Sequence, residues 1–164
     1  MKYRFEQCLQ RGKIVRIPVD HELVAKELRE AEQDLAAAEH SLAEENIKWA
    51  IIQGYYAEFH ALRALVFSGG YREKSHSCLR YAVETLYVDE GLLPASVLED
   101  FNFAMRTREG ADYGCVYSEA DARDVVASAS VVVDQMGDCS IEARNDGKGS
   151  TLLGIHRTRA TFVG

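Results

Sequence analysis

One run limits the possible folds more than any other part of the chain. Between Asn46 and Ser68, apolar side chains occupy most of the circumference of a helix: Ile47, Trp49, Ile51, Ile52, Tyr55, Tyr56, Phe59, Leu62, Leu65 and Val66. A helix that is greasy on nearly all sides must be enclosed by neighbours. Ala50, Gly54, Ala57, Ala61 and Ala64 add a small-residue face where another helix can come close. Asn46 is a candidate N-cap, and Gly69-Gly70 ends the run.

The flanking segments supply candidate enclosures. Asp20 is a plausible N-cap for a first helix reaching about Glu45, with Val24, Leu28, Ala31, Leu35, Ala38 and Leu42 on one seam. Ser75 caps a third helix to about Glu90, whose apolar face is Leu79, Ala82, Val83 and Leu86, and Gly91 ends it. Pro94 suits the first turn of a fourth helix with Val97, Leu98, Phe101, Ala104 and Met105. Ser118-Glu-Ala-Asp121 is a capping-box variant opening a fifth helix, which carries Ala122, Val125, Val126, Ala129, Val132, Val133 and Met136. Val131-Val132-Val133 alone is compatible with a strand, but the surrounding period favours helix. After Gly137 the pattern stops. Short connections between long helices imply an all-α, up-and-down antiparallel bundle of four to five helices.

The expected organisation is an arm over residues 1–19, a bundle over 20–138 and a tail over 139–164. The arm is readable either as extended or as a short helix at Tyr3–Gln10. Within the tail, TLLGI is a candidate docking segment. At 164 residues there is enough chain for one domain with a real core. No apolar run approaches the roughly 18 residues of a membrane span. MKYRFEQCLQRGK lacks the apolar stretch of a secretory signal. Cys8, Cys78, Cys115 and Cys139 form no CxxC pair, which suits reduced thiols in a cytoplasm better than disulfides or zinc.

Charge narrows the function classes. The net charge is −7. Residues 1–18 hold five Lys/Arg and one Glu, a net of +4, and residues 139–164 hold four Lys/Arg and two acids, a net of +2. The middle holds 10 basic and 23 acidic residues, a net of −13. So acidic a body opposes tight non-specific nucleic-acid binding, yet leaves room for a small basic site.

Three clusters could carry such a site. Gln53, Tyr56, His60 and Arg63 line one face of the central helix, either as the polar edge that an amphipathic helix needs or as a groove in which His60 and Arg63 meet an anion. The turn Tyr71-Arg72-Glu73-Lys74-Ser75-His76 places Arg72, Lys74 and His76 at a helix start, where free N–H groups and the dipole favour anions; the alternative is a solvated loop with Ser75 as a plain cap. Arg106 and Arg108 lie at the end of the fourth helix, where cations are favourable for structural reasons alone, with Asp112 and Tyr113 in reach across the turn. The histidines show no HExxH or other metal-ligand spacing, and there is no Walker loop and no GxSxG elbow. No metal or cofactor is expected.

These residues together resemble the HEPN family. The run KWAIIQGYYAEFHALRALVFSGGYREKSHSCL, then TREGADYG, then the Ser-capped last helix carry the likeness, with support from FEQCLQRGKI and ELREAEQDLAAAEHSL. The likeness is greatest to small stand-alone HEPN proteins of archaea and bacteria. It implies a helical bundle that often dimerises and is often encoded beside a minimal nucleotidyltransferase, in some cases as a toxin–antitoxin pair. It also implies a possible metal-independent ribonuclease, in which an Arg and a His four to six residues apart cleave RNA across a dimer interface. This chain departs from that motif. The fifth and seventh positions beyond Arg108 are Tyr113 and Cys115, and no His follows Arg106 or Arg108 at the required distance.

The favoured expectation is therefore a homodimeric binding module that works with a nucleotidyltransferase and holds nucleotide or RNA phosphate near His60, Arg63, Arg72, Lys74 and His76, with Arg108 nearby. By analogy, Tyr113 could accept a nucleotidyl group from the partner. The alternatives are a ribonuclease using His76 with Arg108 or Arg72, and a structural dimer scaffold without ligand.

Overall fold

The computed structural model describes residues 2–145, with side chains through residue 138. In chain order the elements are α1 (Lys2–Gln10), β1 (Ile14–Arg16), α2 (His21–Ala43), α3 (Ile47–Ser68), β2 (Tyr71–Glu73), α4 (His76–Val83), α5 (Ser96–Glu109) and α6 (Glu119–Asn145). Single π-helical turns extend α4 (Glu84–Val88) and α5 (Gly110–Gly114). The helical bundle expected from the sequence is observed.

The central position of α3 follows from its composition. It packs against α2 and α6 most extensively, and also against α4, α5 and β2. The small-residue face makes the closest approach: a Cβ placed on Gly54 would lie 2.9 Å from Cγ1 of Val125 in α6. Ala50, Ala57, Ala61 and Ala64 are all buried. Tyr55, Ile51, Leu62, Val66 and Phe67 fill the space around them.

Local signals start most helices where expected, but Pro94 lies just ahead of α5, which starts at Ser96, and not in its first turn. The Asp20 carboxylate accepts from the backbone N–H groups of Glu22 and Leu23 at 2.9 and 3.3 Å. Ser75 accepts from Cys78 N–H, and Ser118 from Asp121 N–H. Asn46 precedes α3 but makes no side-chain capping bond.

Four features differ from the expectation or extend it. The arm contains a helix, α1, and then a strand. β1 pairs antiparallel with β2, Val15 opposite Arg72, so part of the basic turn is a ribbon. Gly70, at φ +79, makes the turn into that ribbon in a conformation only glycine adopts without strain. Helix α6 continues through Gly137 to Asn145, so the fading of its apolar period does not mark the end of the helix. The expectation of four reduced cysteines is corrected: Cys8 and Cys78 form a disulfide between α1 and α4, across a sequence separation of 70. Their side chains are brought together by the docking of α1, with Cα atoms 6.1 Å apart, a normal disulfide separation. Cys115 is free and exposed. The proposed docking of TLLGI lies outside the described residues. No helix among the described residues is long and apolar enough to cross a membrane.

Candidate anion site at the α3–α4–α5 junction

Tyr55, Tyr56 and Phe59 project from successive turns of α3 at positions that share a face or neighbouring faces of the helix. Tyr55 and Phe59 are buried, and Tyr56 packs edge-on to both. This aromatic floor receives one polar side chain from each of two other helices. His76, the first residue of α4, stacks on Phe59 at 4.7 Å and on Tyr55 at 5.8 Å between ring centroids. Its Nδ1 is hydrogen-bonded to the Tyr55 hydroxyl. Arg108, in the last turn of α5, lies over Tyr55 at 5.3 Å and Tyr56 at 5.8 Å, in cation–π geometry. Phe101, one face of α5 earlier, stacks on Tyr55 at 5.6 Å and seats that helix.

The electrostatics of the group follow from this arrangement. Burial holds the His76 imidazole below its ordinary basicity, and the positive charges of Arg108 and Arg63 push it further down against the opposing influence of Glu109. At neutral pH His76 is therefore uncharged. Burial raises the Tyr55 phenol well above the usual range despite Arg108, so it keeps its proton. Burial works against the charge on Arg108, but Tyr56, Asp112 and Tyr55 outweigh it and its basicity rises. Asp112, four residues on, meets Arg108 Nε at 2.9 Å. That contact fixes the plane of the guanidinium and leaves the two terminal nitrogens as a fork.

The polar line of α3 has a different environment. Apart from Tyr56, which belongs to the aromatic floor, it faces α2 within the bundle seam. Gln53 lies 2.7 Å from Ser41 Oγ. His60 Nδ1 lies 2.7 Å from Glu27 Oε2, with Asp34 at 3.8 Å from Nε2. Arg63 is shared between Glu27, at 3.6 Å, and Glu73, at 2.8 Å. Glu27 and Glu73 are both buried. Burial raises the Glu73 carboxyl, and Arg63 opposes that rise. His60 and Arg63 thus already have anionic partners from the protein itself. Arg63 still contributes its field to His76, and its guanidinium lies over Phe59 and Phe67.

The remaining candidates lie around this centre. Arg72 is exposed on the ribbon, over Phe67 at 5.9 Å. Lys74 is exposed, and its backbone N–H bonds Lys13. Tyr113 projects into solvent at 81% exposure, beside exposed Val116 and Tyr117. Of the sequence candidates, His60 and Arg63 gather around the Glu27 carboxylate, whereas His76 and Arg108 gather around the ring of Tyr55. The role of Tyr55 and Phe59 was hidden because both read simply as core. The available signal was three aromatics crowded into positions 55–59 immediately ahead of His60.

A groove of about 500 Å³ between α2 and α6 is an unsuitable alternative for an anion, because Glu32, Glu39, Asp134 and Asp138 line it beside Leu35 and Val133. Among the described residues, no cluster of three or more His, Cys, Asp or Glu could hold a metal ion.

The model of the HEPN domain matches residues 24–138, most of the chain and nearly all of the bundle. The chain belongs to the HEPN family. The match spans α2 through most of α6, so the whole junction lies inside the HEPN domain, whereas α1 and β1 precede it. No curated protein matches the chain. This HEPN domain is a helical module of a superfamily whose members are often ribonucleases or nucleotide-related, and HEPN domains commonly dimerise.

Proposed function

We propose that the junction is a phosphate-binding site, and that the protein is a homodimeric HEPN binding module for nucleotide or RNA phosphate. The observation that carries this reading is the pairing of Arg108 with His76 on the aromatic floor. A guanidinium held at Nε by Asp112 presents two parallel donors, the geometry suited to a phosphate oxygen pair. An uncharged imidazole beside it adds a donor without the desolvation cost of a second buried cation. The aromatic faces of Tyr55 and Tyr56 strengthen the local preference for a planar cation. Arg72 and Lys74, exposed on the adjoining ribbon, supply positive potential that guides an anion through an acidic surface.

Calorimetric titration with inorganic phosphate, AMP and a short single-stranded RNA tests the reading. Saturable binding is expected, reduced at least tenfold by Arg108→Ala and about twofold by Arg72→Ala. The absence of binding by all three ligands would refute it. A minimal nucleotidyltransferase is the proposed partner in a toxin–antitoxin-like pair, with exposed Tyr113 as the acceptor of a nucleotidyl group; co-purification and mass measurement of Tyr113 test this. Failure to recover such a partner would leave Tyr113 without that role.

The proximity of His76 to Arg108 also favours a second reading, a metal-independent ribonuclease. Incubation of purified protein with RNA and a chelator decides it: cleavage abolished by His76→Ala supports catalysis, and intact RNA in the presence of dimer rejects it.

A further inference from the structure

Tyr55 is fully buried, and its hydroxyl meets Nδ1 of His76. Two arrangements of the protons are conceivable. If His76 carried its proton on Nδ1 and donated it, the phenolic proton of Tyr55 would need another acceptor in a buried place. No second partner for that hydroxyl occurs among the described residues, and a buried donor left unpaired is destabilising. If Tyr55 donates instead, both groups are satisfied by one bond. The phenol keeps its proton because burial disfavours the phenolate, and the imidazole is neutral because burial, Arg108 and Arg63 disfavour the imidazolium over the opposing pull of Glu109. A neutral imidazole accepting at Nδ1 must carry its proton on Nε2. Stacking on Phe59 and Tyr55 holds the ring plane, and a ring flip within that plane would put Cδ2 in place of Nδ1 and lose the bond to the Tyr55 hydroxyl.

We propose that Tyr55 is a positioning residue that holds His76 as the Nε2–H tautomer, so that the site offers a donor, and no base, to an acceptor-only oxyanion such as an unprotonated phosphate oxygen. The choice of ligand rests on the phosphate-binding reading; the tautomer does not. The consequence separates binding from catalysis. Removing a proton from a 2′-hydroxyl requires a lone pair on the nitrogen that faces it. The Nε2 lone pair becomes available only if the proton moves to Nδ1, which reverses the Tyr55 bond and leaves the buried phenolic proton without an acceptor. The same arrangement that completes a phosphate cradle therefore suppresses general-base chemistry by His76.

Nitrogen-15 NMR of the full-length protein reads the tautomer directly. The expected spectrum at neutral pH shows a pyridine-type Nδ1 and a pyrrole-type Nε2 for His76, and Tyr55→Phe converts this to a mixture of tautomers. Titration with inorganic phosphate should be about fivefold weaker in Tyr55→Phe, the effect of losing roughly 1 kcal/mol of orientation. His76→Gln, whose amide nitrogen can stand near the Nε2 position, should retain affinity within about twofold, whereas His76→Asn should lose about tenfold. A proton on Nδ1 in the unmodified protein, an unchanged tautomer in Tyr55→Phe, or equal affinity in the Gln and Asn variants would overturn the assignment. An Nε2–H spectrum with no phosphate binding would leave the tautomer standing and remove the phosphate reading.

Discussion

Glu58 permits a sharp test of how burial controls charge in this bundle. It lies on α3, wholly inaccessible, and accepts a 2.6 Å hydrogen bond from Ser128 of α6 through Oε1. Its Oε2 has no hydrogen-bond partner among the described residues. Burial, opposed by the Ser128 bond and aided by the negative charge of Asp100, pushes its carboxyl up to about 8 from 4.5. The folded state therefore holds the proton more tightly than the unfolded chain. Stability from this group is fully present below pH 4.5 and is lost as pH rises through about 8. At about 1.4 kcal/mol per unit, the loss is about 5 kcal/mol across the whole window and about 3 kcal/mol by pH 7. Glu58→Gln keeps the shape and the Ser128 bond but cannot ionise. Any cost of burying the amide is independent of pH, so the informative quantity is the slope. Urea unfolding of both proteins between pH 5 and 9 should show the variant gaining on the wild type by roughly 1 kcal/mol per unit up to about pH 8, then levelling off. A stability difference that stays constant across this range, or that narrows as pH rises, would refute the reasoning.

Three further outcomes follow from the packing. Arg63→Ala leaves Glu73 and Glu27 buried without their cation and should cost about 3 kcal/mol in chemical denaturation, with much less lost in Arg72→Ala, whose side chain is exposed. Gly54→Val drives a branched side chain against Val125 and should destabilise by about 3 kcal/mol or prevent folding, read as a lowered unfolding midpoint. Reduction of the Cys8–Cys78 disulfide, which closes a loop of about 70 residues, should lower stability by up to about 4 kcal/mol, and Cys8→Ser should abolish the response to reductant.

The candidate site was half legible in the chain. His76 was marked by its place after the Ser75 cap, and Arg108 by its place at the end of a helix. Nothing in either position says that the two meet. Their meeting depends on Tyr55, 21 residues before His76, which periodicity identifies only as an apolar helical position. Conversely, His60 and Arg63 look free in the sequence because Glu27 lies on another helix and Glu73 on another strand. The acids that neutralise them are separated from them by spacings that no local pattern encodes.

The same division holds for the molecule as a whole. By itself the sequence determined that α3 must be enclosed, because a helix apolar around most of its circumference has no other low-energy placement in water. It also marked the starts at Asp20, Ser75 and Ser118, because a capping side chain bonds backbone groups two or three residues away. Those are local or periodic effects. Only the tertiary structure decided the β1–β2 ribbon, the Cys8–Cys78 disulfide, the carboxylates around Arg63 and the Tyr55–His76–Arg108 junction. Each joins residues that are distant in the chain, and each forms only after the helices have packed.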